Sequence, residues 1–169
     1  FLNRAREEYK AAGFEVETIR VVTQPLANYT KGMKHPDAVA FLRKYGELAA
    51  KAGFSPNLGV ILLTDDDDRA TVDLAIDVLA STRINGSLIV AAENGIHWKS
   101  IREAARLVKA VAAKSPNGGG NLNFATTAMV ESGVPSSWAA AAASPSSCVR
   151  CCSRASTSSV PVSASAISR

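Results

Sequence analysis

The chain has 169 residues, 47% of them apolar and 20% charged, with a formal net charge of +4, a length that sets a single domain as the expectation. The charge does not point to nucleic acid: three of the 19 Lys+Arg (Arg150, Arg154 and Arg169) lie near the C-terminus, leaving 16 cations against 15 Asp+Glu in residues 1–131. Such a domain lacks the concentrated basic face that phosphate backbones require, and no apolar run reaches the roughly 18 residues of a membrane span.

Leu2, Ala5, Tyr9 and Ala12 recur at helical spacing, with Gly13 where a left-handed C-terminal residue belongs. The chain opens on Phe1, not Met, inside this pattern, so the expected start lies further upstream and any leader would lie there too. Val16 to Val22 is β-branched and apolar and ends at Thr23-Gln24-Pro25, which predicts a strand stopped by proline. Pro36 and Asp37 suit the first turn of a helix. Its inner face would be Ala38, Phe41, Leu42, Tyr45, Leu48, Ala49 and Ala52, with Gly53 closing it.

Leu58 to Leu63 is a continuous apolar run, as in a strand buried on both faces. Asp68 can cap a helix carrying Val72, Ala75, Ile76 and Leu79, and Ser87 to Ala92 reads as a third strand. Trp98, Ile101, Ala105, Val108 and Ala112 mark the next helix, and Ser100 with Glu103 offers a capping box. The turn Pro116 to Gly120 then leads to a fourth strand, Leu122 to Val130. Alternating helices and strands predict an α/β fold with a parallel sheet, either open and doubly wound or an arc of an α/β barrel.

Residues 132–169 are written in another alphabet. They contain 13 Ser, 8 Ala and all three cysteines (Cys148, Cys151, Cys152), with no Leu, Met, Phe, Tyr, Asp, Glu or Lys. The division is therefore an α/β domain over 1–131 and an irregular, low-complexity tail over 132–169, helical at most around Ala139–Ala143. With no cysteine before residue 148, the domain has no disulfide, which favours a cytoplasmic setting. The sequons at Asn28 and Asn85 read as chance.

In parallel sheets ligands meet the loops after the strand C-termini. Those loops offer Gln24, Asp65, Glu93 and Asn94 for a polar small molecule, set against the plainer role of capping the helices that follow. Arg20, a charge within an apolar strand, should meet a carboxylate or line a polar cavity. The run Asp65-Asp66-Asp67-Asp68 lacks the spacing of a calcium loop and reads as a helix N-terminus, so no metal site is assigned. The glycines of residues 115–121 precede a strand, unlike phosphate loops, which follow one. Neither His35 nor His97 has a nucleophile beside it in sequence. No cofactor is indicated.

Gly13-Phe14-Glu15-Val16-Glu17-Thr18-Ile19-Arg20, then Thr23-Gln24-Pro25, and later Gly120-Asn121-Leu122-Asn123-Phe124-Ala125 together resemble an uncharacterised family known as domain of unknown function 711. The resemblance covers residues 1–131 and implies an architecture similar to the α/β barrel of pyruvate formate-lyase-like glycyl radical enzymes. It implies no activity, since fold does not fix function. Cys151-Cys152 lies in the foreign tail and supports no radical chemistry. Where the family continues into a Pro-Phe-Phe-Pro stretch, this chain has Pro135-Ser136-Ser137.

Three readings of function follow: an enzyme-like barrel binding a small molecule through the strand-end loops; a noncatalytic binding or structural protein of the same fold; or a truncated product without activity. The third rests on residues from about Ser132 being translated out of frame, because Pro-Phe-Phe codons read one nucleotide later can give Pro-Ser-Ser. Translating the other two frames downstream of Val130 is expected to uncover a Phe-rich, family-like continuation; two frames without one would establish the tail as genuine.

Overall fold

The computed structural model describes residues 1–128. The end of the last predicted strand, the Ala139–Ala143 helix and the Cys151-Cys152 pair lie outside the described residues. Ten elements follow in order: α1 (Leu2–Ala11), β1 (Arg20–Val22), α2 (Leu26–Thr30), α3 (His35–Ala52), β2 (Ser55–Val60), α4 (Ala70–Ser81), β3 (Asn85–Ala92), β4 (Gly95–Ile96), α5 (Trp98–Lys114) and β5 (Phe124–Ala128). A 3-10 segment, Pro116–Asn123, connects α5 to β5.

β1 pairs with β2, β2 with β3 and β3 with β5, all parallel. The four strands therefore stand in chain order with no reversal. A doubly wound sheet reverses direction at a switch point; among the described strands no such reversal occurs. β3 turns back into the two-residue antiparallel strand β4, an addition that the alternation of helix and strand does not reveal.

The helices α3, α4 and α5 pack on one face of this sheet. The main core joins Ala38 and Leu42 of α3, Val72, Ala75 and Leu79 of α4, and Ala104, Leu107 and Val111 of α5 to Leu58, Ile84 and Leu88 from the sheet. Val60 and Ile89 form a separate small cluster containing no helix residue. Register places Val60 beside Ser87, Ser87 beside Ala125 and Ile89 beside Thr127. Since paired residues point to the same side of a sheet, these five line the face opposite α3, α4 and α5, on which none of the described helices packs.

Several predicted details are corrected. The first strand is three residues long, not seven; among the described residues its pairing runs along β2, from Arg20 beside Ser55 to Val22 beside Asn57. The second begins at Ser55, and a register shift between Asn57 and Val60 re-aims its end. α2 was not anticipated: one turn of helix whose Leu26 is fully buried. In α3 the apolar stripe is wider than the core, with Phe41 and Leu48 exposed.

The phase of α5 is wrong in the sequence reading. Ser100, Glu103, Ala104, Leu107 and Val111 face inward, whereas Trp98 and Val108 of the predicted stripe are 65% and 41% exposed. Two apolar stripes share this helix, and a tertiary ion cluster selected the less apolar one. Glu103 is buried between Arg69 and Arg106, the latter at 2.7 Å, and Arg106 also holds Asp73 of α4 at 2.6 Å. Ser100 and Glu103 form no capping box, because both lie inside the helix facing the core.

Candidate functional site

The loops after β1, β2 and β3 meet at the C-terminal end of the sheet, but most of their polar groups are engaged in holding the fold. Tyr29 of α2 donates to the Leu58 carbonyl at 3.1 Å and accepts from the Thr23 hydroxyl at 3.3 Å. Burial pushes its phenol up to about 12, against the opposing effect of the Thr23 hydrogen bond. Gly59 makes the approach of β2 to the end of β1 feasible: it has φ +72°, and a Cβ there would lie 2.7 Å from the Thr23 carbonyl oxygen and collide with that of Gln24.

Asp65 reaches across to α5. Its carboxylate accepts the backbone N–H of Ser100 at 2.8 Å and of Lys99 at 3.1 Å, two of the orphan donors of the first turn. Partial burial works against its charged form, but these N–H groups, the Ser100 hydroxyl and nearby His97 outweigh it and hold its carboxyl below the ordinary 3.8. Asp67 accepts from Leu63 and Thr64 N–H, closing its own loop, and Asp68 accepts from Ala70 N–H at the start of α4. The aspartate run thus serves three different sets of backbone donors. Among the described residues, no three His, Cys, Asp or Glu side chains group as metal ligands.

Glu93 and Asn94 do not lead directly into a helix as predicted; they are the central residues of the β3–β4 turn, between paired Ala92 and Gly95. Asn94 Oδ1 lies 2.8 Å from Nε2 of His97, which is buried. Glu93 and Gln24 are exposed at the rim. Arg20 is also exposed, on the edge strand, so the burial cost expected for its charge does not arise. The structure therefore brings Asp65, Asn94 and His97 together and leaves Gln24, Glu93 and Arg20 outside that group. His35 stands elsewhere, 2.9 Å from Asp77, which also holds Lys114 at 2.7 Å and so ties α3, α4 and α5 together.

The sheet face without helices carries a feature absent from the sequence reading. Ser87 and Thr127 are 2% and 5% exposed, and neither hydroxyl has a hydrogen-bond partner. Buried hydroxyls normally find one. The available sequence signal was a polar residue at the head of an apolar strand (Ser87) and one near the end of another (Thr127). A cavity of about 650 Å³ lies at the opposite, N-terminal end of the strands, lined by Arg6, Arg43, Arg83, Thr18 and Ser55 among others; the expected loops do not contribute to it.

Helices packed on a sheet whose four main strands run parallel in chain order define an α/β protein. The chain belongs to the family described as "Uncharacterised ACR (DUF711)", whose model matches residues 1–167. No curated protein and no solved structure matches it.

Proposed function

We propose that this chain forms one wall of a barrel that binds a small polar organic molecule on the helix-free face of the sheet, with Ser87 and Thr127 as its hydrogen-bonding groups. The supporting observation is the pair of buried, unpartnered hydroxyls beside the apolar patch of Val60 and Ile89. Binding pockets of this kind are mostly apolar with a few placed polar groups. A hydroxyl can both donate and accept, which suits a ligand bearing alcohol or carbonyl groups. Gln24 and Glu93, exposed at the strand ends, are placed to meet whatever extends beyond the rim. The lack of cysteine before residue 148 supports a cytoplasmic setting. No helix of the described residues is long and apolar enough to cross a membrane.

Thr127→Val tests the reading directly. It removes the unpartnered hydroxyl at nearly constant volume, so the unliganded protein should gain on the order of 1 kcal/mol in a denaturant titration. A thermal-shift screen against small alcohols, sugars and keto acids should give hits with the wild type that vanish with Thr127→Val and Ser87→Ala. Destabilisation by Thr127→Val, or hits that survive both substitutions, would refute this site.

A further inference from the structure

The cavity of about 650 Å³ at the N-terminal end of the strands collects charge from elements far apart in sequence. Arg6 comes from α1, Glu17 from the segment before β1, Arg43 and Glu47 from α3, and Arg83 from the loop between α4 and β3. Three guanidinium groups therefore share one concavity with two carboxylates. Among the described residues no ion pair joins a lining arginine to either carboxylate, and no hydrogen bond or ion pair holds Arg83. Arg43 stands one helical turn before Glu47, the less favourable order for such a pair, and reaches the Ser81 hydroxyl at 3.4 Å. Arg6 meets Glu7, its neighbour in α1, at 3.2 Å.

Two structural duties for these cations fall short. α3 and α4 end beside the cavity, at Ala52 and Ser81, and a cation near a helix C-terminus complements the partial negative charge there. That accounts for Arg83, just past the end of α4. It does not account for Arg43, well before the end of α3, or for Arg6 in α1, because the effect fades beyond the last turn. Ion pairing within the cavity does not account for them either, since Glu17 and Glu47 hold none of the three.

The rest of the lining suits a ligand. The Ser55 hydroxyl accepts from Asn85 at 2.9 Å, and its own proton has no acceptor among the described residues. Ile19, Phe54 and Pro56 supply an apolar wall, and the volume falls in the range of small-molecule pockets. We propose that this cavity binds a small phosphorylated organic molecule, its phosphate on Arg43 and Arg83 and its hydroxyl or ammonium groups on Glu17 and Glu47. A guanidinium presents a planar fork of donors that matches phosphate oxygens. A phosphate monoester carries nearly two negative charges at neutral pH, so one group can answer two cations, where a single carboxylate answers one. A cationic ligand would face three guanidinium groups. None of the lining residues belongs to the face of Ser87 and Thr127, so the site is independent of a ligand there.

Isothermal titration calorimetry on the full chain at about 20 mM salt, where screening is weak, tests the site with ribose 5-phosphate and O-phosphoserine. At least one should bind, and free ribose and serine should not. Arg43→Gln and Arg83→Gln should each weaken that binding about ten-fold or more. Far-UV circular dichroism should be unchanged in both, since both side chains are exposed. The double variant Glu17→Gln, Glu47→Gln should weaken the organic phosphate and leave inorganic phosphate as it was. Ser87→Ala and Thr127→Val should leave every one of these titrations unchanged, which separates this site from the one on the sheet face. No binding of either phosphorylated probe at about 10 mM, equal binding of the unphosphorylated compounds, or affinity indifferent to both arginine substitutions would overturn the proposal. So would loss of binding in Ser87→Ala and Thr127→Val.

Discussion

Gly59→Ala is expected to destabilise the protein by about 3 kcal/mol or more, the largest effect of any single methyl addition considered. Two contributions combine. The residue has φ +72°, where an L side chain costs about 1–2 kcal/mol. The new Cβ would also meet the Thr23 and Gln24 carbonyl oxygens, which are backbone and cannot rotate away. The end of β1 must then separate from β2, disturbing the Tyr29 bonds to Thr23 and Leu58. Gly53→Ala is the control: its φ is +74°, and a Cβ there meets nothing within 4 Å, so it should lose only about 1 kcal/mol. Urea titrations of both variants measure the difference. Equal losses would show that the close approach contributes nothing.

Asp65→Ala is expected to cost about 1–2 kcal/mol, in the range of a lost helix cap, even though Asp65 lies 34 residues before the first helical residue it serves. The Lys99 and Ser100 N–H groups would lose their carboxylate, and the Ser100 donor is partly buried. Asp65→Asn keeps an acceptor oxygen and should lose less. The two proteins should also differ in acid. The carboxyl titrates below 3.8 in the folded chain, so its stabilising contribution is complete above that ordinary value and fades as pH falls through the depressed folded one. Partial exposure screens the charge and keeps this contribution modest. Stability of the wild type should thus fall more steeply than that of Asp65→Asn between about pH 4 and pH 2. Parallel curves would mean that the carboxylate charge is not what holds α5.

Local chemistry made much of the fold legible. Gly13 and Gly53 marked helix ends and take positive φ, Asp68 opens α4, and the inward residues Val72, Ala75, Ile76 and Leu79 are all buried. These follow from period and capping, which act within a few residues of chain. The parallel order of the strands followed from single-helix connections in the same way.

Only the tertiary structure decided which of two stripes on α5 faces inward. Trp98, Ile101 and Val108 are more apolar than Ser100, Glu103 and Ala104, so periodicity favoured them. The core nevertheless took the second set, because Arg69 on the α4 approach and Arg106 satisfy Glu103 and Asp65 fixes the rotation of the first turn. The surroundings of the site candidates depend on the same kind of contact. Asp65 and Asn94 were visible as polar residues at strand ends, but their partners Ser100 and His97 come from α5 and its approach, and Glu93 sits in a hairpin formed only when β4 folds back on β3. A residue's type and its neighbours in sequence determine which bonds it can make. Which of them it does make depends on groups brought from other elements when the chain packs, and that is where Ser87 and Thr127 were left without partners.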